Sequence, residues 1–324
     1  MIEEVLSNLY KIELPLPQNP LGGVNCYLLK GEGQFLLIDT GMNRQECRQE
    51  IYSDLRSLDV DLKKTDIFIT HFHADHLGLA TSLATETSTI YLNSVEVPVV
   101  GNLEKHWRET SGFARLHGFP ENELDKALRA HPGYRYGLRD CADFSILEEG
   151  DRIRIGDYSF VCIETPGHSP GHMCLYEPNK KILVSGDHIL IDITPNIQLW
   201  SDKGDPLNEY LKSLDRIYDL GVDLVLPGHR DIFTNHKKRI QEIKLHHEVR
   251  ANEILSILEK GGQTAYEVAS QMRWDVSYGF WKLFPISQKW FAVGEALSHL
   301  KYLKERKMIR QDMQRQKVVS LTLT

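Results

Sequence analysis

The chain has 324 residues, 41% of them apolar and 26% charged, with a formal charge of −7. That balance is that of a soluble globular protein with a sizeable core and room for two domains. No run approaches the roughly 18 consecutive apolar residues of a membrane span. Met1-Ile2-Glu3-Glu4 places acids where a secretory signal would be basic, so no membrane partner and a cytoplasmic location are expected.

The five cysteines, Cys26, Cys47, Cys141, Cys162 and Cys174, are odd in number, scattered and never in a Cys-x-x-Cys arrangement. They read as reduced, mostly buried small hydrophobes, which argues against a disulfide frame or a thiolate metal site. The negative total argues against a dedicated nucleic-acid binder, yet the charge is uneven. Residues 237–324 carry 16 basic and 9 acidic side chains, a net of +7, which leaves −14 for residues 1–236.

From the start, Val5 to Leu14 alternates apolar and polar, and Pro15, Pro17, Pro20 and Gly22-Gly23 form a turn-rich loop. Val24 to Leu29 and Phe35 to Ile38 read as two strands joined by Gly31-Glu32-Gly33, the pattern of a hairpin. The second strand ends in Asp39-Thr40-Gly41; Asp39 is either a turn former or a carboxylate that orients a ligand histidine. Gln45 to Leu58 has helical spacing, and Asp66 to Thr70 is a strand. That strand runs into His71-Phe72-His73-Ala74-Asp75-His76, which puts three imidazoles and a carboxylate within six positions. These are the ligand types that hold zinc and similar divalent ions, and a short loop after a strand can aim several at one point. A helix from Leu77 to Leu83 and a strand from Thr89 to Leu92 continue an alternation typical of an α/β domain.

Residues 99–147 interleave aromatics such as Trp107, Phe113, Phe119, Tyr134 and Tyr136 with charges at helical spacing. They read as a helical insertion, serving either as packing or as a lid over a substrate site. Strands resume at Arg152 to Ile155 and Tyr158 to Ile163, and lead into Thr165-Pro166-Gly167-His168 and on to His172. Met173 to Tyr176 is a strand, and Lys181 to Ser185 runs into Gly186-Asp187-His188. After a helix from Asp205 to Leu220, the strand Asp223 to Leu226 delivers Pro227-Gly228-His229. The device recurs: an apolar strand stops in a glycine-bearing loop that carries a His or an Asp, and glycine lets the backbone turn sharply there.

With those residues in hand, the chain resembles metallo-β-lactamase-fold hydrolases over residues 1 to about 235. The family pattern H-x-H-x-D-H is matched by His71, His73, Asp75 and His76; its later His, Asp and His are matched by His168, Asp187 and His229, and its acidic turn by Asp39-Thr40-Gly41. The resemblance implies an α/β fold, a four-layer αββα sandwich, with the site at one edge of two facing sheets. It implies that His71, His73 and His168 hold one divalent ion, that Asp75, His76 and His229 hold a second, and that Asp187 bridges them. Zinc is the leading identity, with iron or manganese compatible with a nitrogen and oxygen donor set. A bridging hydroxide would form because two ions lower a water pKa from 15.7 toward about 7. Asp75 would also handle protons, Asp39 would orient a ligand histidine, and His172 and His188 would stand behind the ligands or face substrate.

The segment from His236 onward breaks the pattern. His236 to Lys260 reads as a long helix closed by Gly261-Gly262. Thr264 with Glu267 three later forms a capping-box signature for a helix through Met272. An aromatic connection leads to a third helix, Ser287 to Glu305, and Lys307 to Leu323 alternates as a hairpin around Gln314-Arg315-Gln316-Lys317. Three helices and a hairpin resemble the small winged-helix domain appended to some proteins of this fold, an endoribonuclease group included. The division expected is therefore a catalytic domain over 1–236 and a winged-helix-like domain over 237–324. Lys301, Lys304, Arg306, Lys307, Arg310, Arg315 and Lys317 make either a solvated basic face or a nucleic-acid contact; the aromatic connection points instead to packing on the body or to a homodimer contact. The activity expected is hydrolysis of a small ester, thioester or lactone by a binuclear metal centre. The alternative is an endoribonuclease or phosphodiesterase acting on single-stranded RNA.

Overall fold

A computed structural model describes residues 1–17, 19–138, 143–275 and 278–322. Cys141, and Leu323 at the end of the expected hairpin, lie outside the described residues. The chain forms two compact units: Met1–Asn102 with Tyr136–Pro195 and Ser213–Ile240, and Leu103–Arg135 with Asn196–Lys212 and Gln241–Thr324.

The first unit begins with β1 (Ile2–Leu6), β2 (Leu9–Pro15), β3 (Gly23–Lys30) and β4 (Phe35–Ile38). Helix α1 (Gln45–Ser57), β5 (Thr65–Phe68), α2 (Ala74–Leu77), α3 (Ala80–Leu83), β6 (Ile90–Asn93) and α4 (Val97–Val100) follow. Three helices intervene, α5 (Leu103–Leu116), α6 (Glu121–Ala130) and α7 (Pro132–Tyr136), before β7 (Phe144–Leu147). Strands β8 (Arg152–Ile155), β9 (Tyr158–Glu164), β10 (Met173–Glu177) and β11 (Ile182–Gly186) come next, then α8 (Pro206–Tyr218) and β12 (Leu224–Pro227). Seven strands, β1 to β7, form one sheet in sequential order, and five form a second in the order β12-β11-β10-β9-β8.

The sequence of the central strands explains why the first sheet is covered on both faces. Along β3, Val24, Cys26 and Leu28 turn to an outer core with Ile51 and Leu55 of α1. Tyr27 and Leu29 turn the other way, onto Phe160, Cys162, Leu175 and Val184 of the second sheet. Period-two alternation of apolar residues on both faces is the signature of a strand between two layers. On the far side of the second sheet Cys174, Leu183 and Val225 are buried. Helix α8 reaches this sheet through Ser213 Oγ, which donates to the Pro166 carbonyl at 2.9 Å. The result is an α/β fold of the αββα type.

Three local expectations differ from the structure. The alternation from Val5 to Leu14 is split by Asn8, which has a φ of 62° and turns β1 back onto β2. Helix Leu77–Leu83 is two short helices, α2 and α3, with Gly78 and Leu79 between them. The stretch 99–147 is helical only in part, because Phe144–Leu147 is a strand that pairs in parallel with β6.

The second unit contains α5, α6, the later turns of α9 (His236–Leu258), α10 (Ala265–Gln271), α11 (Ile286–Glu305) and the hairpin β13 (Ile309–Gln314) with β14 (Lys317–Thr322). Thr264 caps α10 in a full capping box with Glu267. One core joins Ala114, Phe119, Leu124 and Ala127 of the inserted segment to Ile254, Val268, Trp290, Val293 and Leu297. The aromatics of the insertion thus pack with the C-terminal helices, Phe119 standing 5.5 Å from Trp290.

Candidate metal centre

Each residue singled out in the sequence sits where a strand of the first unit ends. His71 and His73 follow β5, Asp75 and His76 lie in α2, His168 follows β9, Asp187 follows β11 and His229 follows β12. The structure brings all seven together. His71, His73 and His168 form one group, Asp75, His76 and His229 another, and His71, His76 and Asp187 a third, with ligand atoms in each group within 4.8 Å of one another. His73 Nδ1 stands 3.0 Å from both His71 Nε2 and His168 Nε2. Asp187 lies between the two halves: Oδ1 is 3.5 Å from His76 Nε2, and Oδ2 is 3.5 Å from His168 Nε2 and 3.4 Å from His229 Nε2. Asp75 Oδ2 is 3.6 Å from His229 Nε2.

The hydrogen bonds behind these atoms fix which nitrogens face inward. Asp39 Oδ1 accepts from the Thr70 amide at 2.8 Å, and Oδ2 accepts from Thr70 Oγ1 at 2.9 Å and from His76 Nδ1 at 2.7 Å. Thr70 Oγ1 in turn accepts from His71 Nδ1 at 3.0 Å. His229 Nδ1 donates to the Gly23 carbonyl at 2.6 Å. With their Nδ1 atoms so engaged, His71, His76 and His229 all turn Nε2 toward one point. Asp39, which the sequence leaves between turn former and orienting group, has a φ of 60° and also touches His76. His172 Nε2 accepts from the Asp187 amide at 3.1 Å while its Nδ1 donates to Thr165 Oγ1 at 2.7 Å, so His172 holds the backbone of Asp187. His188 is fully buried, and burial pushes it down to about 3.

Electrostatics agree with this arrangement. Burial, then the imidazoles of His76, His73 and His168, hold His71 well below the usual histidine range. Burial alone would depress His76 as well, but Asp39 and Asp187 outweigh it and raise it. Burial pushes Asp187 up, and His229 and His76 reverse this, keeping it a carboxylate. His76 Nε2, Asp187 Oδ1 and His229 Nε2 are buried without a hydrogen-bond partner among the described residues. Polar atoms so placed are costly unless a ligand satisfies them, and a nitrogen and oxygen set of this kind suits divalent ions. The residues fit a metal.

Two features carry no motif in the sequence. Thr70 is legible only as the residue before His71, and Glu96 has no local signal; its buried carboxylate accepts from Phe72, Ser169 and Gly171. Gly228 also matters, because a Cβ there would stand 2.5 Å from Asp187 Oδ1 and 2.8 Å from His76 Cε1.

Such a site on an αββα fold defines a metal-dependent hydrolase, and the chain belongs to the metallo-beta-lactamase superfamily, whose family profile matches residues 19–229. Its relatives include the probable metallo-hydrolase YqjP of Bacillus subtilis, 28% identical over 81% of this chain and 83% of that protein. The human acyl-coenzyme A thioesterase MBLAC2 is 27% identical over 64% of this chain and 74% of its own. Among solved structures, the metallo-beta-lactamase family protein TTHA1429 of Thermus thermophilus superposes with a TM-score of 0.84 at 27% identity, covering 99% of this chain and all of that one.

Proposed function

We propose that the chain is a binuclear metal-dependent hydrolase of a small acyl substrate, with an acyl thioester as the leading class and simple esters and lactones as its chemical neighbours. The observation that carries this reading is the convergence of seven nitrogen and oxygen donors, of which His76 Nε2, Asp187 Oδ1 and His229 Nε2 are buried without a hydrogen-bond partner among the described residues. Similarity to an acyl-coenzyme A thioesterase supports the choice of thioester. His71, His73 and His168 would hold one ion, and Asp75, His76 and His229 a second, with Asp187 shared between them. Bound there, divalent ions, with zinc the leading identity and iron or manganese compatible, supply Lewis acidity and a water acidified from 15.7 toward about 7.

The chain's own residues do the rest. Asp39 and Thr70 hold His71 and His76 in one tautomer and one orientation, and the Gly23 carbonyl does the same for His229. Asp75 is only partly buried, unlike Asp39 and Asp187, and so is the carboxylate able to exchange protons with substrate and solvent. A thiolate leaving group, from a thiol of pKa about 8.5, departs with little protonation, whereas an alkoxide needs a strong general acid. A site whose one partly exposed carboxylate is itself a metal-ligand candidate suits the thiolate better.

The RNA reading has less behind it. α11, the helix that would read a groove, has no exposed residue from Ile286 to Leu303, and Ala292 to Leu300 are all buried. Of the basic residues on this face, Lys301 pairs with Glu305 at 2.7 Å, and Arg306 donates to Asn208 at 3.1 Å while lying over Tyr302. The test is turnover by the metal-loaded protein on acyl thioesters, aryl esters, lactones, an aryl phosphodiester and single-stranded RNA. The largest kcat/KM is expected on a thioester; a larger value on the phosphodiester or RNA would sink the proposal.

A further inference from the structure

We propose that Glu96 is a positioning residue that sets the separation of the two loops assigned to the first metal ion. The inference rests on the metal-site reading above and concerns a residue outside the ligand set.

Glu96 follows β6, four residues beyond Leu92, and opens α4. Its side chain is fully buried. The carboxylate accepts from the amide of Phe72, the residue between His71 and His73, and from the hydroxyl of Ser169, the residue after His168. A third bond comes from the Gly171 amide at 3.1 Å. One carboxylate therefore ties the loop after β5 to the loop after β9. These loops belong to different sheets. They also share a backbone bond, Met173 to the Thr70 carbonyl at 2.9 Å, at the end away from His73 and His168. Glu96 fixes the other end, where His73 Nδ1 and His168 Nε2 come within 3.0 Å.

Two further observations mark this as a clamp. The groups acting on Glu96 are Ser169, Gly171, Phe72 and, through its charge, His76, with no Lys or Arg among them, and burying a carboxylate without a paired cation is costly unless convergent donors satisfy it. An apolar side chain of the same size would instead strand three donors, two of them backbone amides of the ligand loops. The fit is also tight: a Cβ on Gly171 would stand 2.6 Å from Glu96 Cγ and 2.7 Å from Asn93 Oδ1. The backbone after His168 is seated directly on the turn that carries Glu96.

A structural group would affect folding; a positioning group acts on one ion. Glu96→Gln keeps the size and one carbonyl-type acceptor but turns an NH2 toward a donor, and Ser169→Ala removes a single arm. Apo protein is titrated with Zn2+ against a chromophoric chelator, and the two binding phases are assigned with His168→Ala and His229→Ala. Melting of each apo protein is recorded alongside. Glu96→Gln should weaken the phase lost in His168→Ala by about 10- to 100-fold, the usual effect of losing a group behind a metal ligand. Ser169→Ala should weaken the same phase by less, and the other phase should hold. Unchanged affinity in both variants, or equal weakening of both phases, overturns the proposal. Should Glu96→Ala fail to fold, these two conservative variants still decide it. A wild-type protein that binds no Zn2+ would instead overturn the metal-site reading, an outcome visible before any variant is made.

Discussion

At the scale of single residues, the site is governed by which proton sits on which nitrogen. His76 is held between Asp39 at Nδ1, 2.7 Å away, and Asp187 at Nε2, 3.5 Å away. Asp39→Asn would keep an acceptor for the Thr70 amide but set an NH2 against His76 Nδ1–H. The ring then has to turn or change tautomer. Metal affinity is expected to fall about 10- to 100-fold, measured as bound metal after dialysis, with the His76 tautomer read by nitrogen NMR; an unchanged tautomer and full metal content would refute the role. Gly228 makes a steric case. A methyl group there collides with Asp187 Oδ1 and His76 Cε1, so Gly228→Ala should displace the Asp187 carboxylate and abolish turnover. The expected stability loss is about 1–3 kcal/mol, read by denaturant melts, and retention of activity would contradict the packing. Asp39 is ambiguous in the sequence because a carboxylate at a strand end serves a turn equally well. Only its distance to His76 separates the two uses.

At the scale of elements, α9 and α11 enclose a polar cluster that the sequence does not announce. His247 Nδ1 donates to His299 Nε2 at 3.2 Å, and His299 Nδ1 donates to the Glu295 carbonyl at 2.9 Å. Arg250 lies 3.3 Å from Glu295. Burial lowers His299 to about 4, and burial with His299, His246 and Arg250 nearby holds His247 well below its usual range. A histidine whose folded pKa is depressed favours the native state fully above its unfolded pKa of about 6.5, and this contribution is lost as pH falls toward the folded value. Between pH 6.5 and about 4 the unfolded chain takes up the proton first. The second unit should therefore melt earlier as pH drops from 6.5 to 4, followed by near-ultraviolet dichroism of the stacked Trp200 and Trp290. His299→Gln should flatten the dependence, and an equally steep dependence in that variant would rule the pair out as its source. The capping box at Thr264 and Glu267 was legible because its partners lie three residues apart. The pair His247 and His299, 52 residues apart, was not.

At the scale of the whole molecule, a site whose candidate ligands come from the ends of four strand-loop segments couples ligand binding to folding. Without an ion, buried Nε2 and Oδ1 atoms of His76, His229 and Asp187 go unsatisfied, so metal removal should destabilise the protein. Free ion at 100 times its dissociation constant contributes about 2.7 kcal/mol. Chelation followed by dialysis is expected to lower the melting temperature, by about 2–4 °C for each kcal/mol in a chain of this order of size. Adding back Zn2+ should restore it; a melting temperature indifferent to chelator would count against the centre. No helix among the described residues is long and apolar enough to cross a membrane.

The sequence by itself determined the family, the class of chemistry, and the types and order of the candidate metal ligands. Each ligand rides on a strand-loop signature a few residues long, and backbone geometry over so short a span leaves little freedom. It also carried the hairpin at β13 and β14, where Arg315 and Gln316 turn with φ of 47° and 63°. Only the tertiary structure decided which groups stand behind the ligands. The Gly23 carbonyl is 206 residues from His229, and Glu96 is 73 from Ser169. Tertiary packing likewise joined α5 and α6 to the core of the C-terminal helices and made Phe144–Leu147 a strand beside β6. Helical spacing shows that a segment has an apolar face, but the partner of that face depends on where the chain returns.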